Sequence, residues 1–202
     1  MWYICFNIDN TENIEKENGL LNLIQKTLSG DEYAFRELTE PYMPMLYNYI
    51  KIKVSGNADI EDILQNTMLA VWQSLAGYSA QSSFKTWIFS IAKRKIADFY
   101  RERQAENGLT AELSDDISDS AGNTGKTGDD IFAGIDAKLD LYNALSKLTK
   151  ENRELVYLVF NAGLTYEEIQ DLTGMKTGTV KSRIYYIKKT LYSMLREGGA
   201  DE

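Results

Sequence analysis

Apolar residues recur along most of this chain at intervals of three and four, the period of a helix rather than of a strand. Leu20, Leu21, Leu23, Ile24, Thr27 and Leu28 form a first stripe, closed by Ser29 and Gly30. Asp31 is placed to cap a second helix that carries Ala34, Phe35 and Leu38. Pro41 and Pro44 fall at a helix start, where a missing amide costs little. Met45, Leu46, Tyr49, Ile50 and Ile52 continue that third run up to Ser55, Gly56 and Asn57. Over 59–75, Ile60, Ile63, Leu64, Met68, Val71, Trp72 and Leu75 share one face of an amphipathic helix. Asp62, Gln65, Asn66 and Gln73 lie away from the centre of that face. Asp59, Glu61 and Asp62 suit the positive end of the helix dipole, which accounts for those carboxylates without any partner. A Gly/Ser/Tyr/Gln loop over 76–83 precedes a helix over 84–103, where Phe84, Trp87, Ile88, Ile91 and Phe99 are apolar and Trp87 and Phe99 are expected in the core.

The pattern then breaks. Residues 104–136 carry Glu106, Glu112, Asp115, Asp116, Asp119, Asp129, Asp130 and Asp136 against the single Lys126, with few large apolar groups. Such a segment cannot bury enough surface to fold alone, which predicts a flexible acidic linker. Helical spacing resumes near Ala137 with Leu139, Leu141, Leu145 and Leu148, runs on through Leu155, Val156, Leu158 and Val159, and stops at Gly163. The expected fold is all-α: an extension over 1–18 with no clear period, a helical domain over 19–103, the linker over 104–136, and a second helical domain over 137–197.

The stretch from Leu164 to Leu191 is the most specific local pattern. Thr165 and Glu168 form a T-x-x-E capping box, Ile169 and Leu172 give a short helix, and Gly174 sits where a tight turn needs it. Thr177 is placed to cap a second helix, on which Val180, Ile184, Ile187 and Leu191 make one apolar stripe. The other faces hold Lys181, Ser182, Arg183, Tyr185, Tyr186, Lys188 and Lys189, and no acidic residue occurs between Lys176 and Arg196. A capped helix, a glycine turn and a cationic second helix form the pattern of a DNA-binding helix-turn-helix. A plain helical hairpin with a solvated basic face has the same local pattern.

Composition sharpens this. The 202 residues carry a net charge of −8, which taken alone argues against nucleic acid. The charge is segregated, however. Lys85, Lys93, Arg94, Lys95, Arg101 and Arg103 oppose only Asp98 and Glu102 over 84–103, so local cationic patches form on an acidic protein. Arg94 and Arg101, seven apart, project from the same side. A basic helix interleaved with aromatics can contact phosphates and stack on unpaired bases. There is no histidine and only one cysteine, Cys5. A disulfide within the chain and a Ser-His-Asp or Cys-His catalytic centre are thereby excluded, and a Cys/His zinc site is disfavoured. No catalytic residue, metal ligand or cofactor is expected, and carboxylates such as Glu167 and Glu168 are explained by capping and the helix dipole. Met1–Ile8 is too short to span a bilayer and lacks a basic start, so a cytoplasmic location is expected.

Four stretches in order, SGDEYAFRELTEPYMPMLYNYI, DIEDILQNTMLAVWQSL, SSFKTWIFSIAKRKIADFYRER and LTYEEIQDLTGMKTGTVKSRI, resemble the bacterial group IV, or extracytoplasmic-function (ECF), sigma factors of the sigma-70 family. The resemblance covers roughly 20–103 and 137–196. It implies a region 2 domain that binds the clamp helices of the RNA polymerase largest subunit and opens the −10 element. It also implies a region 4 domain that reads the −35 element and binds the polymerase flap. Carried over by position, Asp62, Gln65 and Asn66 match the polymerase-contacting helix; family members usually have Glu at the position of Asn66. The loop over 77–83, with Tyr78 and Ser83, matches the segment that captures a flipped −10 base. Lys93, Arg94 and Arg101 match the basic helix beside the melted strand, with Arg94 where Asn is common. Thr179, Lys181, Ser182, Tyr185, Tyr186, Lys188 and Lys189 match the −35-facing side, with Tyr186 in place of a frequent Arg. Gln170 stands where Ala is usual, so its long side chain must turn outward or push the helices apart. The acidic linker resembles the family's connector. The implied partners are core RNA polymerase, promoter DNA and an anti-sigma factor that can hold such a protein near the membrane; no small-molecule substrate is implied. Two other readings of the chain are a sigma-like adaptor that binds polymerase without reading a promoter, and a stand-alone helix-turn-helix regulator.

Overall fold

The computed structural model describes residues 18–106 and 135–198, and among them every regular element is helical. The expected N-terminal extension lies outside the described residues apart from residue 18, which opens a helix, and the expected acidic linker lies outside them apart from its two ends. Those ends are helical: α5 continues to Glu106 and α6 starts at Ile135, so the helices run slightly past the boundaries expected from sequence.

Residues 18–28 form α1. Gly30 takes a left-handed turn at φ 95°, and the Asp31 carboxylate then accepts the Tyr33 and Ala34 amides to start α2, Glu32–Thr39. Pro41 lies in a 3₁₀ turn, and Pro44 in the first turn of α3, Met43–Lys53. The next helices are α4, Asn57–Ser74, and α5, Phe84–Glu106. The α4 helix packs on α3 and α5. Between them Leu46, Tyr49, Ile50, Val71, Ile88 and Phe89 are wholly buried.

The C-terminal half comprises α6, Ile135–Ser146; α7, Lys150–Phe160; α8, Tyr166–Thr173; and α9, Thr177–Gly198. Helices α6, α7 and α8 all pack on α9, whose stripe Val180, Ile184 and Ile187 is buried as its spacing predicts. The two halves also pack on each other, α7 against α3 and α8 against α5. One apolar core runs from Ile50 and Ile88 in the first half through to Leu158 and Ile169 in the second.

The α4 helix corrects the sequence reading in one respect. Its apolar arc is wider than α3 and α5 can cover. Ile60, Ile63, Val71 and Leu75 are buried, but Trp72, expected on the core face, is 38% exposed. Trp87 and Phe99 are half-buried and pack against the core, as expected.

Candidate nucleic-acid and partner interfaces

The helix-turn-helix is built as the sequence predicts, with one substitution of parts. Thr165 accepts the Glu168 amide and the Glu168 carboxylate accepts the Thr165 amide, completing the capping box. Gly174 ends α8 in the left-handed region at φ 77°. The start of α9, however, is not capped by Thr177. Thr177 is itself the first helical residue, and its N–H donates to Gln170 Oε1 at 3.0 Å. The long side chain of Gln170 turns outward across the turn and fills one of the orphan donor positions at a helix N-terminus.

With the stripe of α9 buried, its other faces are open. Thr179, Lys181, Ser182, Tyr185, Tyr186, Lys188 and Lys189 are all exposed. The Tyr185 and Tyr186 rings stand edge to face with centroids 5.6 Å apart, and each is 64% exposed. Lys188 differs from its neighbours, since its ammonium lies 5.0 Å from the centre of the Phe160 ring on α7. The face thus offers hydroxyls, rings and cations together, and no carboxylate.

The other sequence-assigned DNA residues are less free. Tyr78 packs against Phe84 and Trp87 and donates its hydroxyl to the Ser82 carbonyl at 2.9 Å, which holds the loop before α5 in shape. Burial, and then the neighbouring Tyr42, push its phenol above the ordinary value, so it is an O–H donor at working pH. Ser83 lies against the C-terminal half, with its Oγ donating to Glu168. Lys93 donates to the Leu172 carbonyl at 2.9 Å. Arg94 is exposed and reaches only the Ser90 carbonyl one turn earlier, and Arg101 pairs with Asp98 on its own helix at 3.0 Å. The basic helix α5 is therefore divided. Arg94 and Arg101 face solvent, while Ser83 and Lys93 are engaged by α8.

Sequence reasoning missed the residues that join the halves. Thr86 donates to Glu168 at 2.9 Å, and Lys85 donates to the Ala162 carbonyl at 2.8 Å. Glu154 of α7 accepts the Tyr49 hydroxyl at 2.9 Å and pairs with Lys53. Tyr157 donates to the Met45 carbonyl at 2.8 Å. Burial, and then the Glu154 charge, push the Tyr49 phenol far above its ordinary value, so this bond always has Tyr49 as donor.

On α4, Asp62, Gln65 and Asn66 are exposed and make no tertiary bond that stabilises the fold. Beside them an open groove of about 970 Å³ runs between α2 and α4, with Phe35, Met43, Leu64, Met68, Leu69 and Trp72 on its floor and walls. Phe35 and Trp72 meet edge to face at 4.9 Å, and Leu69 is 59% exposed. Glu32, Arg36, Glu40, Glu61 and Gln65 form the rim. An apolar floor with a charged rim suits an amphipathic helix from a partner. The width of the apolar arc on α4 was the sequence signal for this groove.

Comparison with known proteins assigns both halves. Residues 38–106 match the sigma-70 region 2 family and residues 138–191 match sigma-70, region 4. The chain is 26% identical over 177 residues to the RNA polymerase sigma factor NccH of Alcaligenes xylosoxydans, covering 86% of this chain and 93% of that one. It is 30% identical over 155 residues to the ECF RNA polymerase sigma factor EcfG of Rhodopseudomonas palustris, covering 75% and 80%. Among solved structures it is similar in fold to CnrH in complex with the cytosolic domain of CnrY, with a TM-score of 0.57, 23% identity, and 89% and 97% of the two chains covered. It is similarly close to RpoE in complex with the anti-sigma factor NepR from Bartonella quintana, with a TM-score of 0.56, 23% identity, and 83% and 98% covered. The chain belongs to the ECF sigma factors of the sigma-70 family, alternative sigma factors that bind RNA polymerase for promoter-directed transcription initiation.

Proposed function

We propose that the two halves divide this work as region 2 and region 4 domains. Asp62, Gln65 and Asn66, with the groove beside them, take the clamp helices of the polymerase largest subunit. Tyr78, Ser83, Lys93, Arg94 and Arg101 serve the −10 element and its opened strand. The exposed face of α9 reads the −35 element through Thr179, Lys181, Ser182, Tyr185 and Tyr186, with Lys188 and Lys189 toward phosphates. The chain contributes binding and strand opening, and performs no catalysis of its own. The observation that carries this reading is the helix-turn-helix: a buried stripe fixes α9 on its domain, and the residues beside it from Thr179 to Lys189 are left exposed, acid-free and rich in donors.

An anti-sigma factor is the further partner, in keeping with the anti-sigma complex of the similar RpoE. The work is done in the cytoplasm; no described helix is long and apolar enough to cross a membrane.

The test is transcription in vitro with purified bacterial core polymerase on a library of genomic fragments, with and without the chain. Defined starts that share two upstream elements and need the chain are expected. Lys181→Ala should weaken use of the upstream element, and Asp62→Ala should weaken binding to core. Tight core binding without specific starts would indicate an adaptor instead. If both variants bind and transcribe like the parent, the residue assignments are wrong.

A further inference from the structure

We infer that the cleft where α3 and α5 face α7 and α9 is a binding site for a small phosphorylated molecule with a flat ring, a nucleoside phosphate in chemical class, held by Lys53, Lys93, Lys150 and Arg183.

The cleft encloses about 450 Å³, within the roughly 300–1,000 Å³ of small-molecule sites. Its lining reverses the charge of the chain. Four cations meet there with two carboxylates, Glu151 and Glu154, an excess of two positive charges on a protein whose net charge is −8. The cations come from four helices: Lys53 from α3, Lys93 from α5, Lys150 from α7 and Arg183 from α9. No helical period or charged run brings them together; only the packing of the helices does.

Most of that charge is uncancelled in place. Glu154 pairs with Lys53, but Lys93 donates only to the neutral Leu172 carbonyl. Lys150 is half-buried and Arg183 is exposed, and neither has a hydrogen bond or ion pair among the described residues. A partly desolvated ammonium without an acceptor is unfavourable, and phosphate oxygens would satisfy it with charge-assisted bonds. Glu151 shows that the cleft favours an anion. Its own backbone amide first, and then, against burial, the Thr149 hydroxyl and the charges of Lys53 and Arg183 hold its carboxyl below the ordinary value.

The remaining wall is apolar, with Ile96, Ala97, Tyr100 and Met175. The Tyr100 ring is half-buried, and its hydroxyl donates to the Lys53 carbonyl at 2.6 Å, which fixes the ring beside the cations. An aromatic ring held in place next to positive charge is a stacking surface for a base. The walls come from both halves of the chain, so a bound ligand also stabilises their packing by mass action.

Lys150 and Arg183 are assigned to neither DNA nor polymerase, so they provide the test. Equilibrium dialysis of the full chain against ATP or GTP reads binding directly, with adenosine and pyrophosphate as competitors that carry the ring and the charge separately. One nucleotide per chain is expected, displaced weakly by pyrophosphate and not by adenosine. Lys150→Ala and Arg183→Ala should each weaken binding by about tenfold, the effect of losing one charged hydrogen bond. Lys147→Ala, which removes an exposed cation outside the cleft, should leave it unchanged. Circular dichroism checks that the variants fold. No binding of either nucleotide at millimolar concentration overturns the site. Binding that ignores both cleft variants, or falls equally with Lys147→Ala, overturns it too, as attraction to a basic surface at large. A short DNA duplex distinguishes the source of the phosphate: if it displaces ATP at equal or lower concentration and depends on Lys150 and Arg183, the cleft belongs to the promoter surface and the small-molecule assignment is wrong.

Discussion

At the scale of single residues, Gln170 shows how a long polar side chain at the joint of a helix-turn-helix is accommodated. A short side chain in its place would leave the Thr177 amide without an acceptor from the protein, and Gln170 supplies one at 3.0 Å. Loss of a side-chain cap typically costs about 1 kcal/mol. Gln170→Ala is therefore expected to lower the melting temperature of the chain by about 4–8 °C if the C-terminal domain melts as a small unit. Thermal denaturation followed by circular dichroism measures this. Fraying at the start of α9 should also weaken −35 binding, since Thr179 and Lys181 lie in its first two turns. An unchanged melting temperature would mean that water replaces the cap at no cost. Glu168 makes the complementary point about legibility. Its bond to Thr165 was readable because a capping box is a local spacing of three. Its bonds to Ser83 and Thr86 span 85 and 82 residues, and no local pattern encodes them.

At the scale of elements, helix positions were legible wherever a stripe was flanked by a cap or a breaker: Asp31 before α2, Pro44 in α3, Thr165 and Gly174 around α8. Which side of a wide stripe would be covered was not legible, because that depends on how many neighbours the helix acquires. The α4 helix packs on α3 and α5, and the edge of α2 meets it through Phe35 and Trp72. Leu64, Met68, Leu69 and Trp72 are left on the groove as a result. Half-exposed large apolar residues contribute less to folding than buried ones, and far more to a partner that covers them; tryptophan is prominent among binding hot spots, where truncation costs about 2 kcal/mol or more. Trp72→Ala is accordingly expected to raise the dissociation constant for core polymerase by about thirtyfold. Loss of the edge-to-face pair with Phe35 costs only about 0.5–1.5 kcal/mol of stability beyond area. Competition for core against a labelled parent chain measures the first effect. Equal competition by the variant would remove the groove from the polymerase interface.

At the scale of the whole molecule, two domains that sequence separates are joined through one core and a set of charged contacts. The covalent connection over 107–134 does not limit their parting, since 28 residues (134 − 106) reach roughly 95 Å at full extension. What holds them is non-covalent and responds to protonation. Burial alone would raise the Glu168 carboxyl. The hydrogen bonds from Ser83, the Thr165 amide and Thr86, together with the charge of Lys85, outweigh burial and hold it below its ordinary value of 4.5. Of these, Ser83, Thr86 and Lys85 belong to the other half and are lost on opening, while Thr165 is kept. Parting of the halves relieves the burial as well as removing those bonds and that charge; where the bonds and charge outweigh the burial, the pKa of Glu168 is lower with the halves packed (the closed form) than with them parted (the open form). A depressed pKa favours the closed form fully above the open-form value, and that contribution disappears as pH falls through the closed-form value. Acid should thus loosen the closed form in a window at and below about 4.5. Other carboxylates titrate there too, so the comparison that isolates Glu168 is the parent against Glu168→Gln, which preserves the capping box. The radius of gyration of the parent is expected to rise over that window by more than that of the variant, whose residue 168 has no proton to gain. Parallel curves for the two proteins would show that closure draws nothing from the ionised carboxylate, and would leave the hold between the halves to the bonds of Glu154, Tyr157, Lys85 and Lys93 and to the shared apolar core.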